Sequence, residues 1–325
     1  MAEYIGIKGS TIQSLASDPS NPLEGQVWYN TTTTVLKGYA FSYGTGAWAS
    51  GGATNSIHSH AGGGAGTVTA GIIASGVPPS NTPPGSACEE YNGTAWTEVN
   101  NTTRYTNQMG STAGATQTSV LIFGGDESPK KACESYDGTC WTAKNAMNED
   151  HSMAGGAGTS NEAAIGFGAS PKNTNSESWD GTSWSATSPL NIQSIQRAGA
   201  GTATAALAIT GDTTPKQQVE EWDGATWSAV AAVNTGGEGM GAAGTVATAI
   251  KFGGVPNHAE TERWNGSTWT EVADLATGRD YVGYCGAAVS SALCIGGTTG
   301  PTGNSTATEE WTTPAPFAVK TFTAT

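Results

Sequence analysis

The sequence predicts an all-β fold: a six-bladed β-propeller with an extended, hairpin-bearing segment at its N-terminal side. Three observations carry that prediction. A short motif (aromatic, Asp or Asn, Gly, two small residues, Trp) recurs over residues 91–96, 136–141, 179–184, 222–227 and 264–269, with a degenerate echo at Tyr43 to Trp48 and a truncated copy at Glu309-Glu310-Trp311. Its first aromatics fall at 91, 136, 179, 222, 264 and 311, in steps of 45, 43, 43, 42 and 47 residues. A period in the 40s with several strands per unit is the signature of propeller blades. Finally, charged residues are only 12% of a chain with 46 glycines, and no long amphipathic run exists, which speaks against a helical protein.

Residues 1–38 stand outside the repeat. Ser17-Asp-Pro-Ser-Asn-Pro22 is turn-rich, and 26–29 and 35–39 flank a Thr-rich connection as a two-stranded hairpin. An isolated hairpin is marginal in water, so it needs something to dock on, and this segment is the leading candidate for an attachment device. From about residue 50 the repeat has a fixed order. A strand of small residues (61–67, 110–116, 154–159, 198–202, 241–245, 283–288) precedes a strand ending in Gly (70–76, 119–125, 163–168, 205–211, 247–254, 292–297). A third strand then carries a Glu and the first aromatic, and the tight turn leads to a Trp-bearing outer strand. Wedge-shaped blades explain this gradient, since strands near an axis are crowded and admit Gly and Ala while rim strands need bulk. Six such sets predict six blades over 39–325, closed by strands from both termini. The last blade lacks its own outer strand. Either 319–323 or the early echo at Tyr43 to Trp48 supplies it, and the early segment is favoured because joining the ends removes exposed sheet edges.

Within each motif, Asp-Gly or Asn-Gly favours a hairpin turn. With Asp180 and Gly181 as its centre, Trp179 would face Thr182 and the two aromatics would be diagonal neighbours in a packed core. Trp96, Trp141, Trp184, Trp227 and Trp269 are therefore assigned to structure. So are Glu89, Glu134, Glu177, Glu220, Glu262 and Glu309, each two residues before an aromatic, as buried acceptors for backbone or indole donors at blade junctions.

Thirteen basic against 27 acidic residues give a net charge of −14, which repels phosphate backbones and disfavours nucleic-acid binding. No stretch of about 18 apolar residues predicts membrane insertion, and the start lacks the pattern of a secretory signal. Five cysteines without CxxC spacing read as reduced, buried fillers, although Cys133 and Cys140 could lie diagonally on one hairpin. Of four histidines, His58 and His60 could form a metal pair but sit in a Ser/Gly loop with no third ligand, and His151 and His258 stand apart. His58 and His60 read as exposed loop residues, with no metal and no cofactor. No carboxylate pair stands out for glycoside hydrolysis, and no nucleophile elbow or phosphate loop occurs, so the chain reads as non-enzymatic. Loops joining second to third strands, and blade to blade, share one face and vary in length, and recognition commonly lives in such loops. Arg104, Tyr105, Arg197, Arg279 and Tyr281 are the candidate contacts there.

Gly124-Gly125 or Gly253-Gly254, followed by an aromatic, an Asp/Asn-Gly turn and Trp, resembles the kelch repeat over roughly residues 50–312. The run Ile5-Gly-Ile-Lys through Gly25-Gln-Val-Trp-Tyr-Asn30, with a Thr-Phe-Thr ending, is similar to kelch-like structural proteins of marine tailed bacteriophages, especially cyanophages. That resemblance implies a virion component of a tail or fibre-like appendage, made in the host cytoplasm and present in multiple copies. Its implied partners are other virion proteins, reached through the N-terminal segment, and a host-surface glycan. Some kelch-type propellers are copper radical oxidases, but the clustered His, Tyr and Cys ligands this needs are missing here. No adaptor domain supports a ubiquitin-ligase role. The alternative is a free carbohydrate-binding or carbohydrate-processing propeller; the missing export signal and the non-repeat segment favour the virion reading.

Overall fold

The computed structural model describes residues 12–20, 26–41, 46–60, 63–76, 85–300, 303–313 and 317–322. The expectations resting on the first eleven residues, on Tyr43 and on Ala61 lie outside them. Every regular element described is a β-strand. The chain divides into two compact units, Gly46–Thr312 and a smaller one built from Met1–Thr45 with Thr313–Thr325.

The larger unit contains, among the described residues, six four-stranded sheets whose neighbouring strands are antiparallel. The first runs outward through Gly63–Thr67, Ala70–Gly76, Gly85–Tyr91 and Trp96–Val99. The next four repeat it from the inner strands Met109–Ser111, Gly155–Ser160, Ala198–Thr202 and Gly241–Gly244. The sixth is Gly283–Ala288, Ser291–Ile295 and Thr308–Thr312, completed by Ala47–Ser50, with Trp48 opposite Trp311. Consecutive inner strands touch, and the sixth touches the first, so the sheets form a closed ring. The early strand takes the place favoured for it. The alternative closing segment instead pairs, as Phe317–Phe322, with Val35–Phe41 in the smaller unit. This corrects the boundary drawn at residue 38, because Val35–Phe41 is one continuous strand crossing it, and it removes the C-terminal strand from the ring.

Crowding near the axis has the expected cause. A methyl group added at Gly199 would lie 1.9 Å from the Gly156 carbonyl oxygen of the adjacent sheet, and one at Gly64 would lie 2.2 Å from that of Tyr284. At the rim, each outer Trp crosses to the preceding sheet. Trp184 packs edge-on against Phe123 at 4.8 Å, Trp227 against Phe167 at 5.1 Å and Trp48 against Phe252 at 4.8 Å, a geometry aromatic quadrupoles favour. The indole N–H of Trp96, Trp48 and Trp227 donates to the hydroxyl of Thr308, Thr261 and Ser176 respectively, each immediately before a repeated Glu. Trp141 and Trp184 meet the thiols of Cys88 and Cys133 at the same position. Four cysteines are thus buried and free, and burial pushes their thiols up to about 12; Cys140 is exposed and not the filler expected.

Two details depart from expectation. In the repeated hairpins the aromatics are directly opposed, Trp179 against Trp184 and Tyr91 against Trp96, rather than diagonal. The reason is a four-residue loop. Asp180 accepts the backbone N–H groups of Thr182 and Ser183 at 2.8 and 2.7 Å, with Gly181 at φ 91°, and this side-chain turn replaces the two-residue one. In the second sheet the inner strand stops at Ser111, not 116. Thr112 turns the chain through its bonds to Leu121 and Ala115. Gly114 then lies against carbonyl oxygens of the third and fourth sheets, and Ala113 accepts the Gly286 N–H of the sixth. This segment crosses one end of the axis.

The smaller unit is a four-stranded sheet: Gln13–Leu15 parallel to Val27–Asn30, which pairs antiparallel with Val35–Phe41, which pairs with Phe317–Phe322. Asp18 gathers it. Its carboxylate accepts from Trp28 Nε1 (3.1 Å), Asn30 Nδ2 (2.8 Å) and Lys37 Nζ (2.8 Å). The Lys37 bond, then that of Asn30, holds the carboxyl down at about 2.

Candidate functional site

Two positions recur around the ring, and they differ in kind. The first is the Glu of each third strand. Glu177 is buried and accepts from Asn148 N (2.9 Å), Asn148 Nδ2 (2.7 Å), Glu149 N (3.0 Å) and His151 Nε2 (3.2 Å). Glu89 does the same with Asn55, Ser56 and His58, and Glu220 with Asn191, Ile192 and Arg197. Glu262 takes Asn234, Thr235 and Lys251. Glu134 meets Thr103 and Arg104, and Glu309 meets Ala276 and Arg279. Each acid thus ties the loop arriving from the preceding sheet to its own sheet, with a cation or histidine completing the shell. Burial tends to raise the Glu177 carboxyl, but His151 and the two backbone N–H groups outweigh it and hold it down at about 2.

This overturns two expectations. His58, expected exposed in a loop, is a fully buried partner of Glu89, and His151 is likewise buried against Glu177; the two ring nitrogens of His58 face the acceptors Ser75 O and Glu89. Arg197 and Arg279, expected on the loop surface, are 4% and 2% exposed. Each guanidinium is turned to backbone carbonyls and its Glu, although Arg197 Nε has no hydrogen-bond partner; Arg104 is engaged likewise with Gly124 O and Glu134. Tyr105 does stand exposed, at 55%. His258 pairs with Glu260. Among the described residues no group of three or more His, Cys, Asp or Glu side chains could hold a metal ion.

The second recurring position lies one to three residues before each inner strand and faces the axis at the loop end. Its occupants are His60, Gln108, Met153, Gln196, Gly239 and Tyr281, all in left-handed backbone conformation with φ of 56°, 53°, 58°, 57°, 64° and 49°. Their backbones join head to tail: His60 N–H donates to Tyr281 O (2.9 Å), Gln108 to His60 (2.6 Å), Gln196 to Met153 (2.8 Å) and Gly239 to Gln196 (3.4 Å). The six surround a cavity of about 50 Å³, floored by Met109, Ala154, Met240 and Val282. His60 stacks on Tyr281 with ring centroids 3.9 Å apart and planes at 14°. Burial lowers its pKa to about 4, so the ring is neutral at neutral pH. Tyr281 reaches a hydrogen bond with Gln196. Arg197 also lines the wall, but its guanidinium is turned to Ala208 O, Ile192 O and Glu220. Gln108 Oε1 is buried with no partner in the chain. Apart from Arg197, whose charge is paired with Glu220, the side chains lining the mouth are uncharged, amphipathic and able to exchange hydrogen bonds.

Of the five expected contacts, Tyr281 lies in this mouth and Arg197 lines its wall. His60, Gln108, Met153 and Gln196 escaped because the position repeats in backbone conformation and not in residue identity.

No protein-family model matches the chain, and no curated protein matches it. Among solved structures the fold is similar to that of YjhT, with a TM-score of 0.64 at 17% identity, over 83% of this chain and 99% of that one. At that identity the likeness shows the fold alone: an all-β, propeller-like assembly of four-stranded sheets.

Proposed function

We propose that the chain is a non-enzymatic, six-bladed kelch-like propeller serving as a structural and recognition component of a bacteriophage virion, in a tail or fibre-like position. The observation that carries this reading is the smaller unit. Segments that flank the ring in sequence, Val35–Phe41 and Phe317–Phe322, pair with each other in a separate sheet, so the ring is a loop of chain inserted into a second module. The N-terminal segment fastens that module to other virion proteins, and the loop face of the propeller meets a host-surface glycan or a neighbouring subunit. The repeated acids support a non-enzymatic role, because their oxygens are taken up by the fold itself. Quantitative mass spectrometry of purified particles tests it. Fixed stoichiometry with capsid protein is expected, and recovery solely as a free monomer would defeat it. A free carbohydrate-binding protein is the second reading, favoured by the uncharged mouth.

A further inference from the structure

The five side chains at the mouth stand where glycine would be the cheaper residue. A non-glycine residue in left-handed conformation costs roughly 1 kcal/mol, and of the five only His60 belongs to the Asn, Asp and His types that adopt it most readily. The sixth position shows what the backbone alone accepts. It is Gly239, and a methyl group there would strike the Tyr281 ring at 2.6 Å. Glycine thus appears where space forbids a side chain, while five other positions keep His, Gln, Met, Gln and Tyr despite strain.

What these side chains line has a definite chemistry. The cavity of about 50 Å³ has room for roughly three or four water positions, which is the tip of a ligand and not a whole one. Its depth is thioether and methyl surface from Met109, Met153 and Met240. Its polar groups are neutral. Gln108 lines the cavity and its carbonyl oxygen is buried without a partner in the chain; an O–H or N–H donor from a ligand would relieve a cost of about 1–3 kcal/mol. Gln196 and the Tyr281 hydroxyl supply donors and acceptors on the opposite side. An anionic ligand group would find no free cation there, because Arg197 faces Glu220, and the charges of Glu238, Asp280 and Asp212 that reach Tyr281 are all negative.

We infer that the mouth formed by His60, Gln108, Met153, Gln196 and Tyr281 binds the hydroxyl-bearing edge of a neutral hexose, its hydroxymethyl arm entering over the methionines and donating to Gln108. This names the ligand class for the recognition role proposed above, but it does not depend on membership of a particle.

The test uses the full chain with its methionine methyl groups ¹³C-labelled, titrated with methyl glucoside, methyl galactoside and methyl mannoside, and with glucuronate and glucosamine as charged controls. Met147, buried between the second and third sheets, is the internal reference. Saturable shifts of Met109, Met153 and Met240 with a neutral glycoside, and none of Met147, are expected. Gln108→Gly and Tyr281→Phe should each weaken the titration at least tenfold, with a thermal midpoint no lower than that of the unaltered chain. No saturable shift with any neutral glycoside would overturn the inference. So would equal response to the charged sugars, or unchanged affinity in Gln108→Gly. Binding by a chain that is absent from particles would leave this site standing and defeat the virion reading.

Discussion

The rim and the mouth of the ring are both sixfold, yet they repeat different things. At the rim the side chain is constant: a buried Glu in every sheet, its oxygens filled by the loop that arrives from the sheet before. At the mouth the backbone is constant, six left-handed residues in a circle, while the side chains change at every step. A group repeated in identity and bound chiefly by the loop and sheet that flank it serves assembly. A fixed backbone bearing unlike side chains, one with an unmet acceptor, serves recognition.

If the rim is structural, emptying one clamp should be the severest change. Glu220→Ala leaves Arg197 buried without its counter-charge, and about 3–5 kcal/mol of stability should disappear in urea unfolding. A loss under 1 kcal/mol would erase the contrast between rim and mouth. Trp48→Ala tests ring closure. Trp48 is half-buried against Trp311 and Phe252, so about 2 kcal/mol should be lost. No change would mean that the early strand does not seal the sixth sheet.

Acid separates the two regions by pH window. His60 has a folded pKa of about 4 against an ordinary 6.5. The unfolded chain therefore binds more protons between these values, and the contribution is full above 6.5 and lost as pH falls through 4. Glu177, lowered from 4.5 to about 2, loses its contribution in the lower window. His60→Gln should flatten the slope of thermal midpoint against pH between 6.5 and 4, and Glu177→Gln between 4.5 and 2. Identical slopes in both variants would contradict the assignment. The smallest effect belongs to the second unit. Asp18, lowered to about 2 by Lys37 and Asn30, orders that sheet above its ordinary pKa of 3.8 and ceases to as pH falls to 2. Asp18→Asn should move the Trp28 indole resonance and leave the unfolding of the ring unchanged.

Much of this architecture was legible in the residues. Period, glycine-rich inner strands and rim tryptophans follow from steric taper, which acts on composition directly. Glu89 to Glu309 were readable as structural because the acid repeats at a fixed distance from an aromatic. Their partners were not, since His58, Arg104 and Lys251 reach the same carboxylate position from different places in the repeat, and a cation's burial depends on what folds over it. Hence Arg197 and Arg279 looked like surface residues. The hairpin register depended on a side-chain bond from Asp180 rather than on the Asp-Gly pair alone. The mouth was hidden for a different reason: left-handed backbone leaves no mark on residues such as Gln108 and Met153.

Amide hydrogen exchange in Glu177→Gln tests the structural role of the repeated acids most directly. Asn148 and Glu149, whose N–H groups donate to that carboxylate, should lose protection by at least tenfold, while inner-strand amides such as that of Ala200 keep theirs. Unchanged protection at both donors would show that the acids do not hold the loops to the sheets.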